Sequence, residues 1–284
     1  MSPRILQAAF RRQGFETALR RSFQYVVFAD VSDLTNTAED HPAAIGWCHD
    51  CGRNHSLSSG NARFHALKLI GEFESLRRLD YLAADADADP RLSCDTLFPG
   101  GRGHMFGVLE CEDSAGSTVV LRAFSSLHGG IRTVAGWVGP ILPDGVFDPL
   151  FRPAEAEIGR LTAEMLCLDA GSNSHRELAK KRREISSELM PRIHDRYELN
   201  NFHGDRRSLR DAFIGKGGLP GGTGDCCAPK LLNHAALNGL RPKGLAEFYW
   251  GGPHRSGNRQ SGQFYPACEE KCQPILGFML CGLT

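Results

Sequence analysis

Residues 222–252 read "GTGDCCAPKLLNHAALNGLRPKGLAEFYWGG", and this stretch sets the organisation of the C-terminal part of the chain. A glycine-rich loop leads to the adjacent Cys226 and Cys227, and an apolar helical pattern follows and ends at Gly239. The next segment, "KGLAEFYWG", is typical of a strand. The sequence therefore predicts a helix and then a strand, with two cysteines at the start of the helix.

A second cysteine pair follows in residues 264–276, "FYPACEEKCQPIL". We expect Cys268 and Cys272 to stand at the start of another helix. The free N–H groups and the positive dipole end of a helix N-terminus both stabilise a thiolate. Because a thiolate is a good metal ligand and a good nucleophile, the order helix, strand, helix places reactive groups at two helix starts.

Composition and charge narrow the class of protein. The 284 residues include 33 basic and 33 acidic side chains, so no net charge steers the chain towards nucleic acid or an anionic membrane. The N-terminal "MSPRILQAAFRRQGF" lacks the apolar core of a secretory signal, and no apolar run reaches the roughly 20 residues that span a bilayer. We therefore expect a cytoplasmic protein without a membrane partner. In that reducing compartment, cysteines favour metal binding, catalysis or burial over disulfides.

The first hundred residues give weaker signals than the rest. Residues 1–58 are irregular in pattern, apart from the strand-like "VVFADVS" at 26–32. Residues 58–79 have apolar side chains three apart, which predicts an amphipathic helix. We treat residues 1–100 as an N-terminal region of uncertain fold.

Residues 101–284 are predicted to form a domain of class α+β, with helices and a mixed sheet. Residues 104–127 contain two strand patterns around "EDSAGS", a hairpin signal, and 133–143 reads as a further strand. A long helical middle follows, with Pro153 in the first turn of one helix and Pro191 as a kink or break in the next. The C-terminal cysteine segment completes the domain.

Three interpretations of the C-terminal cysteines remain open. In the first, Cys226 or Cys227 joins Cys268 and Cys272 as thiolate ligands of a zinc ion. In the second, Cys226 or Cys227 is a nucleophile with a histidine such as His254 as its base. In the third, the thiols form a closed zinc site or pack in the core, and only tie the segment together.

The first interpretation resembles the zinc-dependent nucleobase deaminases. In those enzymes one helix start carries a ligand, a strand follows, and the next helix start carries Pro-Cys-x-x-Cys. This chain departs in two places, because Pro229 stands where the deaminase glutamate is found and the second pair is spaced C-x3-C. Glu247, in the intervening strand, could supply the carboxylate. If the site is hydrolytic, we expect Glu247 to act as acid and base, with Lys230 and Asp225 near the charge.

Aromatic side chains around this segment could contact a base. Tyr249, Trp250 and Phe264 are candidate stacking surfaces, and His254 lies in the polar loop between them. The alternative for each ring is packing in the core.

A separate motif, "WCHDCGRNH" at 47–55, offers two cysteines and two histidines at ligand-like spacing: Cys48, His49, Cys51 and His55. It either binds another metal or forms a turn with idle thiols. The remaining cysteines are expected to be core or bystander thiols; they are Cys94, Cys111, Cys167 and Cys281.

The run "HRELAKKRREI" at 175–185 is strongly basic. Such a run is either a solvated helix face or a strip that contacts RNA phosphates. It has no interleaved aromatic residues, so it gives no sign of base stacking.

The hairpin "GHMFGVLECEDSAGSTVVLRAFSS", the helix "RELAKKRREISSELMPRIHDRYELNNFHG" and the two cysteine segments together resemble the N-terminal extension of long RluA-type RNA pseudouridine synthases. In that family the catalytic Arg-Leu-Asp motif lies in a following domain, and "RRLDY" at 77–81 stands in a different context, at a predicted helix end. The resemblance therefore implies a free-standing associated domain. RNA or a nucleobase-containing ligand is its expected binding partner, and a separate pseudouridine synthase is a further candidate.

Together these patterns predict a protein of RNA or nucleobase metabolism with a thiolate zinc site and a deaminase-like hydrolytic activity. The alternative is a non-catalytic RNA-binding or docking module with a structural metal.

Overall fold

The described residues, 42–98, 103–253 and 257–283 of a computed structural model, form helices and antiparallel strands, which confirms the α+β class. The strand-like stretch at 26–32 lies outside them. The elements along the chain are β1 (Ala44–Cys48), β2 (Arg53–Leu57), α1 (Ala62–Leu76), β3 (His104–Glu112), β4 (Thr118–Phe124), α2 (Asp144–Leu166), α3 (Asn173–His194), β5 (Glu198–Asn200), β6 (Arg206–Ser208), α4 (Leu209–Ala212), α5 (Cys227–Leu237), β7 (Arg241–Trp250) and α6 (Gln273–Met279).

The central sheet has three antiparallel strands in the order β4-β3-β7. Because successive side chains of a strand point to opposite faces, the sheet divides its residues between two hydrophobic clusters. Phe106 and Val108 of β3 belong to one cluster, and Leu109 and Cys111 belong to the other. Both faces are therefore covered, and the middle strand is buried along most of its length.

Helix α1 covers the first face with an aromatic cluster. The ring of Phe73 lies 4.7 Å from that of Phe106 in an edge-on arrangement, and Phe106 lies 5.7 Å from Phe248 of β7. Trp137 closes the cluster, and its indole N–H donates to the carbonyl of Leu79 at 2.8 Å. This face contains no predicted metal ligand, and its packing serves to hold α1 on the sheet.

Helix α5 covers the second face at a point where β3 has no side chain. A Cβ on Gly107 would lie 2.5 Å from Cys227 Cβ and 3.1 Å from Leu231 Cδ1. Gly107 therefore allows the first turn of α5 to approach the sheet closely. Across the strands, Gly107 pairs with Glu247 of β7, so the same gap leaves room for the glutamate side chain.

Strands β1 and β2 form a separate hairpin that packs on α6. The contact is between backbones, because a Cβ on Gly277 of α6 would overlap the carbonyl oxygen of Trp47 and lie 2.8 Å from the amide of Cys48. A Cβ on Gly46 would likewise overlap the amide of Gly277. Two glycines thus bring the end of the chain against the first strand.

Several sequence predictions are confirmed. The amphipathic helix expected within 58–79 is α1, the hairpin expected within 104–127 is β3 and β4, and the helix and strand read from 222–252 are α5 and β7. Gly239 follows the end of α5 with a φ of 64°, the left-handed conformation that glycine adopts easily at this position.

The strand predicted at 133–143 is wrong, because this segment is irregular and forms no ladder. Its apolar pattern has another cause: Val134, Trp137 and Val138 are buried against the core. Gly136 has a φ of 82°, which a regular strand does not allow.

The placement of Pro153 in a first helical turn is also wrong. Helix α2 begins at Asp144, so both Pro149 and Pro153 lie inside it, and α3 continues past Pro191. An interior proline removes one N–H donor and strains the preceding turn. The packing of α2 against α3 compensates for this cost.

One compact unit runs from Asp40 to Thr284 and includes the described residues on both sides of position 100. Helix α1 contributes to one hydrophobic cluster and the β1–β2 hairpin to the other, and both clusters also contain residues beyond position 100. None of the helices described here combines the length and the apolar character needed to cross a membrane.

Candidate metal centres

Cys226, Cys268 and Cys272 form the first group of side chains that could hold a metal ion. Their sulfur atoms all lie within 4.8 Å of one another. Cys226 is the N-cap residue of α5 and Cys272 that of α6. The fold therefore brings together the two helix starts that the sequence singled out.

The C-x3-C spacing fits one turn of chain ahead of α6. The amides of Cys272 and Gln273 both donate to the carbonyl of Cys268 at 3.1 Å, so residues 268–272 form a helical turn. Residues four apart in such a turn lie on the same side, and the two sulfur atoms are 3.4 Å apart. Ahead of the turn, the amide of Ala267 donates to the carbonyl of Ala43 at 2.8 Å, which anchors the segment beside β1.

The pKa values of the three thiols shift in opposite directions. Hydrogen bonds with Cys226 and Cys272 lower the pKa of Cys268 to about 2. The hydrogen bond with Cys268 raises the pKa of Cys226 to about 12, and the hydrogen bond with Cys226 raises the pKa of Cys272 well above its ordinary value. The three sulfur atoms are therefore close enough for each to change the pKa of its neighbours.

Cys227, the predicted ligand from the adjacent pair, does not belong to this group. Its side chain is fully buried against the sheet, and the thiol approaches the carbonyl oxygen of Met105 at 3.3 Å. Burial raises its pKa well above the ordinary value. Cys226 is the N-cap with an extended backbone and Cys227 is the first helical residue, so the two side chains point in different directions. Cys226 faces Cys268, and Cys227 faces Gly107.

Glu247 reaches the first turn of α5 from β7. Its Oε1 accepts a hydrogen bond from the backbone amide of Ala228 at 2.9 Å, and the side chain is buried. Burial raises the pKa of Glu247 to about 7, and the charge on Cys268 acts in the same direction. Pro229 has no N–H to offer, and at the third helical position this costs the helix nothing.

Lys230 and Asp225 hold the start of α5 in place through hydrogen bonds to groups other than the thiols. The buried Lys230 Nζ donates to the carbonyl of Phe124 at 2.8 Å, and burial lowers its pKa. Asp225 Oδ1 accepts from the hydroxyl of Tyr197 at 2.6 Å. Its carbonyl accepts from the amide of Ser126 at 3.0 Å. These hydrogen bonds tie the first turn of α5 and the loop before it to the end of β4.

The aromatic residues predicted to stack on a base are packed against protein. Tyr249 is 1% exposed, and its hydroxyl donates to the carbonyl of Gly252 at 2.7 Å. Trp250 is 7% exposed and belongs to the aromatic cluster on the α1 face. Phe264 is covered by the guanidinium of Arg63, 4.2 Å from its ring centre. The core-packing alternative therefore applies to these rings, and His254 lies outside the described residues.

A second group comprises Cys48, Cys51, His55 and Cys281, whose ligand atoms also lie within 4.8 Å of one another. Sequence reasoning found the first three and assigned Cys281 to the bystander thiols. Cys281 lies 230 positions beyond Cys51 in sequence, so no local spacing connects them. The local signal was the motif "WCHDCGRNH", whose four candidate ligands include the three that lie together here. His49 is not part of the group.

One lysine of the basic run on α3 forms an ion pair with α2. Lys181 pairs with Glu157 of α2 at 3.2 Å, and Lys180 pairs with Glu184 on its own helix at 3.8 Å. Both lysines are more than half exposed, so each pair is worth little in free energy. The run therefore presents a solvated face in which some of the charge is already paired.

Comparison of the chain with protein-family models, with curated proteins and with solved structures gives no match. Within the described residues, two groups of side chains could each hold a metal ion, one of three cysteines and one of three cysteines and a histidine.

Proposed function

We propose that the chain is a zinc-dependent, deaminase-like hydrolase that acts on nucleobases, either free or within RNA. The observation that carries the proposal is the convergence of Cys226, Cys268 and Cys272 beside a buried carboxylate, that of Glu247. Three thiolates form a ligand set suited to zinc, and a zinc ion with three protein ligands keeps a fourth position at which it can activate water.

The spacing of the sulfur atoms supports the choice of metal. A tetrahedral site with Zn–S bonds of about 2.3 Å separates its sulfur atoms by about 3.8 Å. Cys268 and Cys272 are 3.4 Å apart without a metal, so small rotations of the two side chains would bring them to that distance. Zinc would also replace the protons of the cysteine thiols, since the ligands bind as thiolates.

The position of Glu247 supports hydrolysis rather than a purely structural role. Its Oε1 is held by the amide of Ala228, two residues after the ligand Cys226. In hydrolytic deamination the oxygen of water bonds to the carbon that carries the amino group. Glu247 would accept the proton released by that water and return it to the departing nitrogen, and ammonia would leave as the C–N bond breaks.

The proposed substrate class rests on the resemblance to the extension of RluA-type pseudouridine synthases, which favours an RNA or nucleobase ligand. A separate pseudouridine synthase, located with this protein in the cytoplasm, is the proposed partner.

A first experiment tests the metal. We expect zinc in the purified protein, with the zinc of this site lost in a Cys268→Ser/Cys272→Ser double variant. The control is Cys167→Ser, because Cys167 is exposed and lies outside both groups. If the double variant folds and keeps all of its zinc, these cysteines are not ligands and the proposal fails.

A second experiment tests the chemistry. Wild type should release ammonia from at least one member of a panel of cytidine, adenosine and single-stranded RNA. Glu247→Gln should keep its zinc and lose that activity by at least about a hundredfold, the usual range for an acid–base residue. If wild type with a full complement of zinc releases no ammonia from any of these substrates, the deaminase-like activity is refuted.

A second candidate function is a non-catalytic RNA-binding module, and the exposed basic face of α3 favours it. Four basic side chains of the run are exposed: Arg176, Lys180, Lys181 and Arg183. In that case Lys180→Glu/Arg183→Glu would weaken RNA binding and reduce its salt dependence, whereas Glu247→Gln would leave binding unchanged.

A further inference from the structure

We infer that Cys48, Cys51, His55 and Cys281 bind a second zinc ion, in a closed site that fastens the end of the chain to the β1–β2 hairpin. This inference does not depend on the proposed hydrolase activity. It concerns different ligands, and a structural rather than a catalytic site, since four protein ligands leave no position for water or substrate.

The hairpin supplies three of the ligands from one tight turn. Cys48 ends β1, and the amide of Gly52 donates to its carbonyl at 3.0 Å, which closes the turn that carries Cys51. Gly52 has a φ of 64°, a left-handed conformation that favours glycine at this position. His55 follows on β2, and its Nε2 lies 3.0 Å from the sulfur of Cys51.

The fourth ligand comes from the residues just after α6. Backbone contact at Gly46 and Gly277 sets the position of α6 on β1. The carbonyl of Cys281 accepts a hydrogen bond from the amide of Phe202 at 2.9 Å, which fixes the following turn. As a result the sulfur of Cys281 lies 3.8 Å from that of Cys51. Two segments far apart in sequence thus converge on one point.

The donor set and its dimensions fit zinc. Three cysteines and one histidine are a common structural zinc site, in which the sulfur atoms stand about 3.8 Å apart. The distance between Cys51 and Cys281 already has this value. The sulfur-to-nitrogen edge of such a tetrahedron is about 3.5 Å. Cys51 and His55 would therefore move apart by a fraction of an ångström from their present 3.0 Å.

Burial supports a specific site over a chance cluster. Cys48, His55 and Cys281 are buried, and Cys51 is exposed at the tip of the turn. A zinc ion there would be shielded by protein on most sides and could still enter past Cys51. The sulfur atoms of Cys51 and Cys281 are 3.8 Å apart, well beyond the roughly 2.05 Å of a disulfide bond.

The consequence for the fold is that α6 links the two metal centres. Cys272 stands at the N-cap of α6, and Cys281 follows its last turn. Fastening Cys281 to the hairpin therefore also holds Cys272 in place for the first group. Loss of the second zinc is expected to loosen the C-terminal segment and to weaken metal binding at the first site indirectly.

The test is zinc content by elemental analysis of matched variants. Wild type should contain two zinc ions per chain. His55→Asn should retain one, and His49→Asn, which changes the exposed neighbouring histidine, should retain two. Cys268→Ser/Cys272→Ser should also retain one. The inference is overturned if His55→Asn keeps two zinc ions, or if wild type holds a single zinc ion that the Cys268→Ser/Cys272→Ser variant loses.

A measurement on the wild type covers the case in which His55→Asn fails to fold. Peptide mapping after treatment with N-ethylmaleimide should show Cys48, Cys51 and Cys281 protected together, and all of them should react once a chelator is added. Exposed Cys167 should react at once in both cases. If Cys51 reacts without a chelator, or if Cys51 and Cys281 are recovered as a disulfide from freshly prepared protein, the site does not hold zinc.

Discussion

Replacement of Gly107 by alanine should displace the start of α5 and separate Cys226 from the other two thiols. The added Cβ would lie 2.5 Å from Cys227 Cβ and 3.1 Å from Leu231 Cδ1, and Glu247 Cγ would be in contact at 3.5 Å. Carbon atoms prefer separations of about 3.5–4.0 Å. The first turn of α5 must therefore move away from β3 by about 1 Å.

The magnitude follows from two opposing effects. Overpacking of a core costs about 1–3 kcal/mol, and both close neighbours belong to a helix that packs flat on the sheet. Alanine in a strand is favoured over glycine by about 0.5–1 kcal/mol because the unfolded chain is less flexible. We expect a net loss of about 1–2 kcal/mol in the free energy of unfolding. A shift of about 1 Å at Cys226 also exceeds the roughly 0.2 Å that zinc coordination tolerates.

Two assays and one control decide the matter. Urea unfolding measures the loss of stability, and zinc content in the presence of a competing chelator measures the first site. Gly71→Ala is the matched control, because Gly71 lies on the exposed side of α1 with no atom within 4 Å of the added Cβ. That variant should be more stable than wild type by up to about 1 kcal/mol.

A Gly107→Ala variant that is as stable as wild type and binds zinc at Cys226 with unchanged affinity would contradict this prediction. In that case the close approach of α5 to β3 would not position the thiols.

Three further predictions concern stability. Burial holds the pKa of His128 below its ordinary 6.5, so the unfolded chain takes up the proton first as the pH falls. The free energy of unfolding is therefore full above pH 6.5 and decreases below it. Urea midpoints measured between pH 7.5 and 5 should decline less in His128→Gln than in wild type. In Gly277→Ala the added Cβ would overlap the carbonyl of Trp47. The variant should lose zinc at the Cys281 group and about 2 kcal/mol in the free energy of unfolding. An unchanged zinc content would argue against the role of the contact between α6 and β1 in forming that group. Tyr197→Phe removes the 2.6 Å hydrogen bond to Asp225 and should lower the free energy of unfolding by about 2 kcal/mol in urea titrations.

The sequence predicted the elements whose pattern is local. The hairpin of β3 and β4, α5 and β7 each have a periodicity that their own residues determine. The strand predicted at 133–143 was wrong because apolar residues that pack into the core from an irregular segment resemble those of a strand. The prediction that Pro153 lies in a first helical turn was wrong because the packing of α2 against α3 outweighs the local preference of proline for that position.

The candidate sites likewise combine features that the local sequence predicts with features that only the packing of distant segments determines. The grouping of Cys268 with Cys272 is visible in their spacing, and Glu247 was predicted as a carboxylate of the strand between the two cysteine segments. The choice between Cys226 and Cys227 depends on which side of α5 faces the sheet, and that is decided by Gly107 on a distant strand. The place of Cys281 is set by backbone contact between α6 and β1, which no pattern within either segment records.

Helix α6 is seven residues long, and a candidate ligand borders each of its ends. One inserted or deleted residue would turn Cys281 by about 100° relative to Cys272 and shift it by about 1.5 Å along the axis. No single rotation of the helix could then restore both metal centres. The segment between Cys272 and Cys281 is therefore expected to keep its length in related chains, even where its side chains change. A survey of natural length variants should show insertions before Cys268 or after Cys281, but not between Cys272 and Cys281.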